Sequence, residues 1–91
     1  MQVRIFYISA PDCKDCDEAI AMIESAINKC SKISCEIAKF NYTSKAALGI
    51  AVTNGISDLP GFVIGQKVFQ GDNYTEKEII DAIKEASKRK P

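Results

Sequence analysis

Two cysteines, Cys13 and Cys16, lie where a strand-like segment gives way to a helical one. Residues 3–8 before them are almost continuously apolar, as in a strand covered on both faces, whereas residues 17–29 follow a helical period. Two thiols at this spacing can close a disulfide across one helical turn. The first would lie at the helix N-terminus, where unpaired N–H groups and the positive end of the dipole favour the thiolate that attacks disulfides. The pattern therefore predicts a strand and a helix joined at a redox centre.

The apolar positions of the first helix form one stripe, so that Cys16 lies on its buried side. The stripe consists of Cys16, Ala19, Ile20, Ile23, Ala26, Ile27 and Cys30. Residues 33–40 alternate between apolar and polar side chains, which predicts a second strand. Thr43 or Ser44 then caps a second helix over residues 45–53, which ends at Asn54-Gly55, a typical left-handed helix end.

The C-terminal third of the chain predicts a hairpin and a last helix. Gly61–Ile64 and Lys67–Gln70 are short strands joined by Gly65-Gln66, whose leading glycine suits a type II′ turn. Thr75 and Glu78 have the spacing of a capping box, and the core positions after it are Ile79, Ile80, Ile83 and Ala86. The order β-α-β-α-β-β-α predicts one α/β domain over residues 1–91, with a mixed four-stranded sheet and helices on both faces.

Composition excludes several classes of function. The 91 residues contain no histidine, which removes imidazole ligands and histidine bases, and 12 basic residues balance 12 acidic ones. The one cationic cluster, Lys88-Arg89-Lys90, is better explained as a solvated helix end, so we expect no nucleic-acid partner. The sequence has neither the pattern of a signal peptide nor a run long enough to span a membrane, and we expect a cytoplasmic protein.

Zinc is the main alternative use of such a cysteine pair, and it would need two more ligands. The remaining cysteines are Cys30 and Cys35. On one helix, Cys16 and Cys30 would be roughly 21 Å apart, too far to share an ion, so we expect no metal. Cys30 and Cys35 bracket the turn into the second strand. A second disulfide there is conceivable, but two buried free thiols agree better with a reducing compartment.

A strand, a Cys-x-x-Cys that opens a helix, and Asp58-Leu59-Pro60 just before a hairpin together resemble the thioredoxin and glutaredoxin superfamily over nearly the whole chain. The short hairpin and the lack of an extra N-terminal strand are most similar to glutaredoxins and small archaeal-type redox proteins. The resemblance implies a thioredoxin-like fold in which Leu59-Pro60 is a cis peptide bond packed against the disulfide. It also implies that the backbone of Leu59 pairs with an extended substrate peptide.

The sequence departs from this resemblance at two places. Thioredoxins carry a buried acid where this chain has Tyr7, and Lys39 lies in a stretch that resembles the thioredoxin strand supplying a lysine below the disulfide. Lys39 could assist proton transfer, although an exposed lysine at a strand end is the simpler interpretation. Gly71 and Asp72 match the glutaredoxin residues that hold the amino end of glutathione, but the basic residue that completes that site is Ala10 here.

Two functions follow as hypotheses. The first is a thiol-disulfide oxidoreductase in which Cys13 attacks a substrate disulfide and Cys16 resolves the mixed disulfide, with Leu59, Pro60 and Lys14 binding the substrate. Its partners would be disulfide-containing proteins and an electron-donating reductase or small thiol, and the chain would act as a monomer without a cofactor beyond its own disulfide. The second is a non-catalytic adaptor that binds peptides, with the disulfide as a switch. An adaptor does not need both thiols, which favours the first.

Overall fold

A computed structural model of the chain describes residues 2–88. Within that range the elements follow the expected order. They are β1 (Gln2–Ser9), α1 (Lys14–Lys29), β2 (Ser34–Asn41), α2 (Lys45–Asn54), β3 (Gly61–Ile64), β4 (Lys67–Gln70) and α3 (Glu76–Lys88). None of the described helices is long and apolar enough to cross a membrane. Lys88 ends α3, and Arg89 and Lys90 of the predicted solvated cluster lie outside the described residues.

The strands form a mixed sheet in the order β2-β1-β3-β4. β1 is parallel to β2 and antiparallel to β3, and β3 pairs with β4 as a hairpin. The parallel pair needs a crossover connection, which α1 provides. Because β1 lies at the centre of the sheet with helices over both faces, its residues Ile5, Tyr7 and Ile8 are buried, as the apolar run predicted.

The main core lies between the sheet and the pair α1 and α3, which pack against each other on the same face. It consists of Val3, Ile5, Tyr7, Cys16, Ala19, Ile23, Ala26, Cys30, Phe62, Ile64, Phe69, Ile79, Ala82 and Ile83. Phe62 is stacked on Phe69 with ring centroids 4.9 Å apart, and Tyr74 meets Phe62 edge-on at 5.1 Å. Burying one isoleucine completely stabilises a fold by about 1.5–3 kcal/mol, so this layer dominates the stability.

The second face of the sheet is covered more thinly, by α2 alone. A groove lies between α2 and this face, and Phe6 and Val63 line it on the side of the sheet. Ala47 is the buried residue of α2, whereas Leu48 is 62% and Val52 is 74% exposed. The helix has apolar residues on all sides, so burying one side leaves others in solvent. The prediction of helices on both faces is confirmed.

The ends of the helices follow their local chemistry. Ser44 caps α2 by accepting the Ala47 N–H at 3.1 Å, and Gly55 ends it in the left-handed region at φ 68°. The capping box predicted before α3 is present, because Thr75 N–H donates to the Glu78 carboxylate at 2.9 Å while Glu78 N–H donates to the Thr75 hydroxyl. These side chains satisfy N–H groups that the helices themselves leave unpaired.

Two local features differ from the sequence-based predictions. α1 begins at Lys14 rather than at residue 17, because Lys14 and Asp15 at its start are exposed and lie outside the apolar stripe. Cys35 is half-buried rather than buried, because β2 is an edge strand and α1 covers only part of its face. Elsewhere the bounds of strands and helices differ from the predictions by at most one residue, and those of β3 and β4 are as predicted.

Candidate redox site

Three loops meet at one end of the sheet. β1 runs toward the loop that carries the first cysteine, and the antiparallel β3 begins at Gly61, opposite Ile8. β4 ends at Gln70, which lies opposite Gly61. The Gly71 N–H, just after β4, donates to the carbonyl oxygen of Pro60 at 2.9 Å. The sheet register therefore brings the Leu59-Pro60 loop and the Gly71-Asp72 loop to the end of β1 that leads into α1.

Cys13 and Cys16 form a disulfide with an S–S distance of 2.09 Å. Cys13 is the N-cap of α1, and its Sγ accepts the N–H of Cys16 at 3.1 Å while its carbonyl accepts the N–H of Asp17 at 3.3 Å. The two sulfurs differ in access, since Cys16 is 2% exposed and Cys13 is partly exposed. A molecule that approaches from solvent therefore meets Cys13 first.

Charges around the N-terminus of α1 are mostly negative. Asp15 and Asp17 lie in the first turn, where carboxylates interact favourably with the positive end of the dipole. Asp12, just before the cap, adopts a left-handed φ of 58°, which aspartate tolerates better than most residues. Lys14 is exposed between the two cysteines and offsets part of this field. The surface around Cys13 is therefore mostly acidic.

Tyr7 lies below the disulfide, on the face of β1 that packs against α1. Its hydroxyl donates to the carbonyl oxygen of Cys16 at 2.5 Å, and its ring lies 6.4 Å from that of Phe62. Burial, with smaller contributions from the nearby Tyr74 and Asp17, raises the pKa of Tyr7 to about 12. The residue at the position of the thioredoxin acid is therefore a neutral hydrogen-bond donor over the physiological pH range.

Lys39 is exposed on β2, in register with Tyr7. It lines a groove between α1 and β2 together with Cys35 and Ile37. Among the described residues it makes no hydrogen bond to either cysteine of the disulfide. A surface position agrees with the simpler of the two interpretations of this lysine.

The Leu59-Pro60 peptide bond is cis. Pro60 is fully buried, and Leu59 is half-buried against the core. The next residue is Gly61, where a Cβ would lie 2.5 Å from Cγ2 of Ile56, so a larger residue would require the Ile56 side chain or the loop to shift. These contacts hold the segment in one path directly before β3.

Gln70 supports the same loop, and no feature of the sequence indicated it. Its side-chain oxygen accepts N–H groups from Ser57 at 2.8 Å and from Asp58 at 3.1 Å. Its amide nitrogen lies 3.5 Å from the carbonyl oxygen of Gly55. One side chain at the end of β4 therefore anchors the turn that leads to Leu59-Pro60.

A small cavity of about 100 Å³ lies beside the first two turns of α1. Its lining residues are Asp15, Glu18, Ala19, Met22, Asp72 and Tyr74. Burial raises the pKa of Tyr74, and the carboxylates of Asp15, Asp72 and Glu18 add to the shift. Asp72 and the ring of Tyr74 thus lie next to α1.

The other two cysteines are free thiols near the opposite end of α1. Cys30 is buried at the C-cap of the helix, and Cys35 lies on β2 opposite Val3. Burial raises the pKa of Cys35, and interaction with Cys30 raises it further. Within residues 2–88, no three Cys, Asp, Glu or His side chains are grouped in a way that could hold a metal ion.

Comparisons with known proteins address the fold. No family model and no curated protein match the chain. Nine solved chains do. One, described as the structure of a malarial protein, has a TM-score of 0.65 and 14% identity and covers 94% of this chain and 98% of its own. The first thioredoxin domain of mouse protein disulfide-isomerase A4 has a TM-score of 0.62 and 20% identity, over 98% of this chain and 67% of that one.

These likenesses, together with the mixed four-stranded sheet, show that the chain has a thioredoxin-like fold with a Cys-x-x-Cys pair joined at disulfide distance. The fold class predicted from the sequence is confirmed. At these identities the likeness is one of fold, so the narrower similarity to glutaredoxins or archaeal-type proteins stays a prediction.

Proposed function

We propose that the protein is a thiol-disulfide oxidoreductase in which Cys13 is the nucleophile and Cys16 the resolving thiol. The observation that carries the proposal is the difference in exposure between two bonded cysteines on one helical turn. Cys13 Sγ is partly exposed and accepts the N–H of Cys16 at 3.1 Å, whereas Cys16 is 2% exposed. A thiolate at Cys13 would keep that hydrogen bond, and its charge would strengthen the bond, because hydrogen bonds to ions are roughly twice as strong as neutral ones.

The reaction proceeds by two exchanges. In the reduced protein, the Cys13 thiolate attacks one sulfur of the substrate disulfide, so that a mixed disulfide forms and the other substrate sulfur leaves as a thiolate. Cys16 then attacks Cys13 Sγ, which breaks the mixed disulfide and closes the Cys13–Cys16 bond. Two electrons and two protons pass from the dithiol to the substrate. A reductase or a small thiol must then return two electrons to the protein.

The substrate would lie along the loop before β3. Its extended chain would pair with the backbone of Leu59 by strand addition, with Pro60 between that chain and the disulfide. The support is positional, since the sheet register brings this loop to the end of β1 that leads to Cys13, and Gly61 and Gln70 hold its path. Lys14, exposed between the cysteines, would contact the substrate beside its disulfide.

The small thiol that returns electrons to the Cys13–Cys16 disulfide can be tested directly. Gly71 and Asp72 would hold the amino end of a small thiol, because Asp72 shares a cavity with the carboxylates of Asp15 and Glu18. No cation at Ala10 completes a site for a carboxylate end. A positively charged thiol such as cysteamine should therefore reduce the Cys13–Cys16 disulfide faster than glutathione does at equal thiolate concentration. We place this chemistry in the cytoplasm, with the chain acting as a monomer.

Insulin reduction by dithiothreitol is the first experiment. The wild-type protein should accelerate it, and both Cys13→Ser and Cys16→Ser should lose the acceleration. Incubation with an oxidised protein substrate should trap a mixed disulfide on Cys16→Ser and not on Cys13→Ser. Cys35→Ser is the matched control, because it removes a half-buried thiol outside the site and should keep full activity. Absence of acceleration by a folded wild-type protein that binds peptides would instead favour the adaptor.

A further inference from the structure

We propose that Tyr7 is a positioning residue of the exchange reaction: its hydroxyl holds the first turn of α1 so that Cys16 stays aligned with Cys13 while their disulfide is open. The inference rests on the proposed oxidoreductase function and deepens it. It concerns the second exchange, in which Cys16 attacks Cys13 Sγ, and leaves the first exchange to Cys13.

The hydrogen bond from Tyr7 joins two elements at the redox centre. Its hydroxyl on β1 donates to the carbonyl oxygen of Cys16, whereas the bonds from Cys16 and Asp17 to Cys13 lie within the turn itself. Among the described residues, it is the hydrogen bond that connects this turn to the sheet. A carbonyl oxygen has two lone pairs, so it can accept the phenol in addition to its helical N–H partner.

The hydrogen bond from Tyr7 to Cys16 becomes important for the position of Cys16 when the disulfide opens. In the oxidised protein the S–S bond itself fixes the two cysteines relative to each other. In the mixed disulfide that constraint is gone, and the rate of the second exchange depends on how often Cys16 Sγ lies in line with Cys13 Sγ. Ordering a reacting group beforehand raises the effective concentration of an intramolecular attack, so a turn held against β1 should close faster than a free one.

Tyr7 is itself held firmly enough to serve this role. Its side chain is 4% exposed, and its backbone is paired on one side with Lys39 and on the other with Phe62. The ionisable groups that face it are Asp17 on α1, Tyr74 before α3 and Lys39 on β2. Because the pKa of Tyr7 is about 12, its hydroxyl stays protonated where thiols exchange, and its contribution should not depend on pH between about 6 and 9.

The test separates the two exchanges in one measurement. All proteins in this assay, including the reference called wild type, carry Cys35→Ser, which removes the half-buried free thiol outside the site. Reaction of the reduced protein with Ellman's reagent then releases one thionitrobenzoate when Cys13 attacks and a second when Cys16 closes the disulfide. Tyr7→Phe keeps the ring and removes the hydroxyl. It should leave the first release within about twofold of wild type and slow the second about three- to tenfold, as expected for loss of one hydrogen bond, by the same factor across that pH range. Tyr42→Phe, at a half-exposed tyrosine whose hydroxyl makes none of the hydrogen bonds to the Cys13–Cys16 turn described above, is the matched control and should change neither release.

A second measurement covers the case in which Tyr7→Phe is poorly folded. The equilibrium between the Cys13–Cys16 disulfide and dithiothreitol should move toward the dithiol by about the same factor, whereas Tyr42→Phe should match wild type. Equal slowing of both releases, or a second release and an equilibrium unchanged in folded Tyr7→Phe, would overturn the role of Tyr7. Failure of the proposed function has a different signature, since wild type itself would then release no second thionitrobenzoate or would not accelerate insulin reduction.

Discussion

The two ends of α1 each carry cysteine, and the fold gives them opposite properties. At the N-terminus, Cys13 is the cap, is partly exposed and accepts a backbone N–H. At the C-terminus, Cys30 is buried, and its own N–H donates to the carbonyls of Ala26 and Ile27. N–H groups attract negative charge, whereas the carbonyl groups at a C-terminus attract positive charge. The same side chain is therefore placed for chemistry at one end and for packing at the other.

Their partners extend the contrast. Cys16, one turn into the helix, is bonded to Cys13, whereas Cys35 lies on β2 as a free thiol with a pKa raised by burial and by Cys30. A cysteine on an edge strand keeps some exposure but gains no hydrogen-bond donor for a thiolate. We therefore expect Cys13, where access is combined with a helix N-terminus, to be more reactive than Cys35, which has access alone.

Alkylation of the fully reduced protein would test this contrast most strongly. With iodoacetamide near neutral pH, we expect Cys13 to react at least about tenfold faster than Cys35, and Cys30 to react last, because reactivity follows thiolate population and access. Peptide mass spectrometry at short reaction times measures the order. Modification of Cys35 or Cys30 ahead of Cys13 would break the comparison.

Replacing the packed thiol should affect stability rather than reaction. Cys30→Ser places a hydroxyl in an apolar site that is 4% exposed, and we expect the free energy of unfolding to fall by about 1–3 kcal/mol. Cys35→Ser, at a half-buried position, should lose less. Urea unfolding of both oxidised variants measures the difference, and insulin reduction should be unchanged in the folded proteins. A larger loss for Cys35→Ser would contradict the burial argument.

The electrostatic link between the free thiols should be small but measurable. Because burial and then Cys30 raise the pKa of Cys35, Cys30→Ser should remove the second cause and lower that pKa while leaving it above its ordinary value. The pH dependence of Cys35 alkylation, with the Cys13–Cys16 disulfide kept oxidised, reports the midpoint. An identical midpoint in wild type and variant would mean that the two thiols do not interact.

The charged side chains near the C-terminus of α1 offer the mildest test. Lys29 forms an ion pair with Glu76 at the start of α3, and hydrogen bonds from Lys29 and Ser25 lower the pKa of Glu76. A lowered folded-state pKa contributes stability above the unfolded value that is lost as pH falls through the folded one. Glu76→Gln should therefore make the unfolding free energy slightly less sensitive to pH between about 7 and 3. An equal or steeper loss in the variant would exclude the pair as a source of stability.

Local signals explain how much of this fold could be predicted. Thr75 with Glu78, and Asn54 with Gly55, carry the chemistry of helix ends in a few adjacent residues, so the sequence indicates them directly. The helical run predicted over residues 17–29 begins later than α1, because Lys14 and Asp15 are exposed and do not extend the apolar stripe. The half-exposure of Cys35 follows from the edge position of β2, and an edge position is a property of the whole sheet rather than of the strand.

The candidate site divides in the same way. The pairing of Cys13 with Cys16 follows from spacing. The contacts of Tyr7 with Cys16, and of Gln70 with Asp58, join residues of different elements and depend on how those elements pack. The resemblance to thioredoxins drew attention to Tyr7 because it replaces an acid, but only the fold shows that its hydroxyl donates to a helical carbonyl.

The thin cover of α2 over the second face has a consequence for motion. Ala47 is buried, while Leu48 and Val52 are largely exposed, so opening this helix would uncover little apolar surface. Backbone amides of β1 and β3, by contrast, lie between a packed core and their neighbouring strands. We expect hydrogen exchange to divide the molecule into two parts. Amides of α2 should exchange through local opening of low free energy, whereas amides of the central strands should exchange only when the whole chain unfolds. The protein would then open locally on the side of the sheet away from α1, and the turn that carries the disulfide would stay closed during this opening.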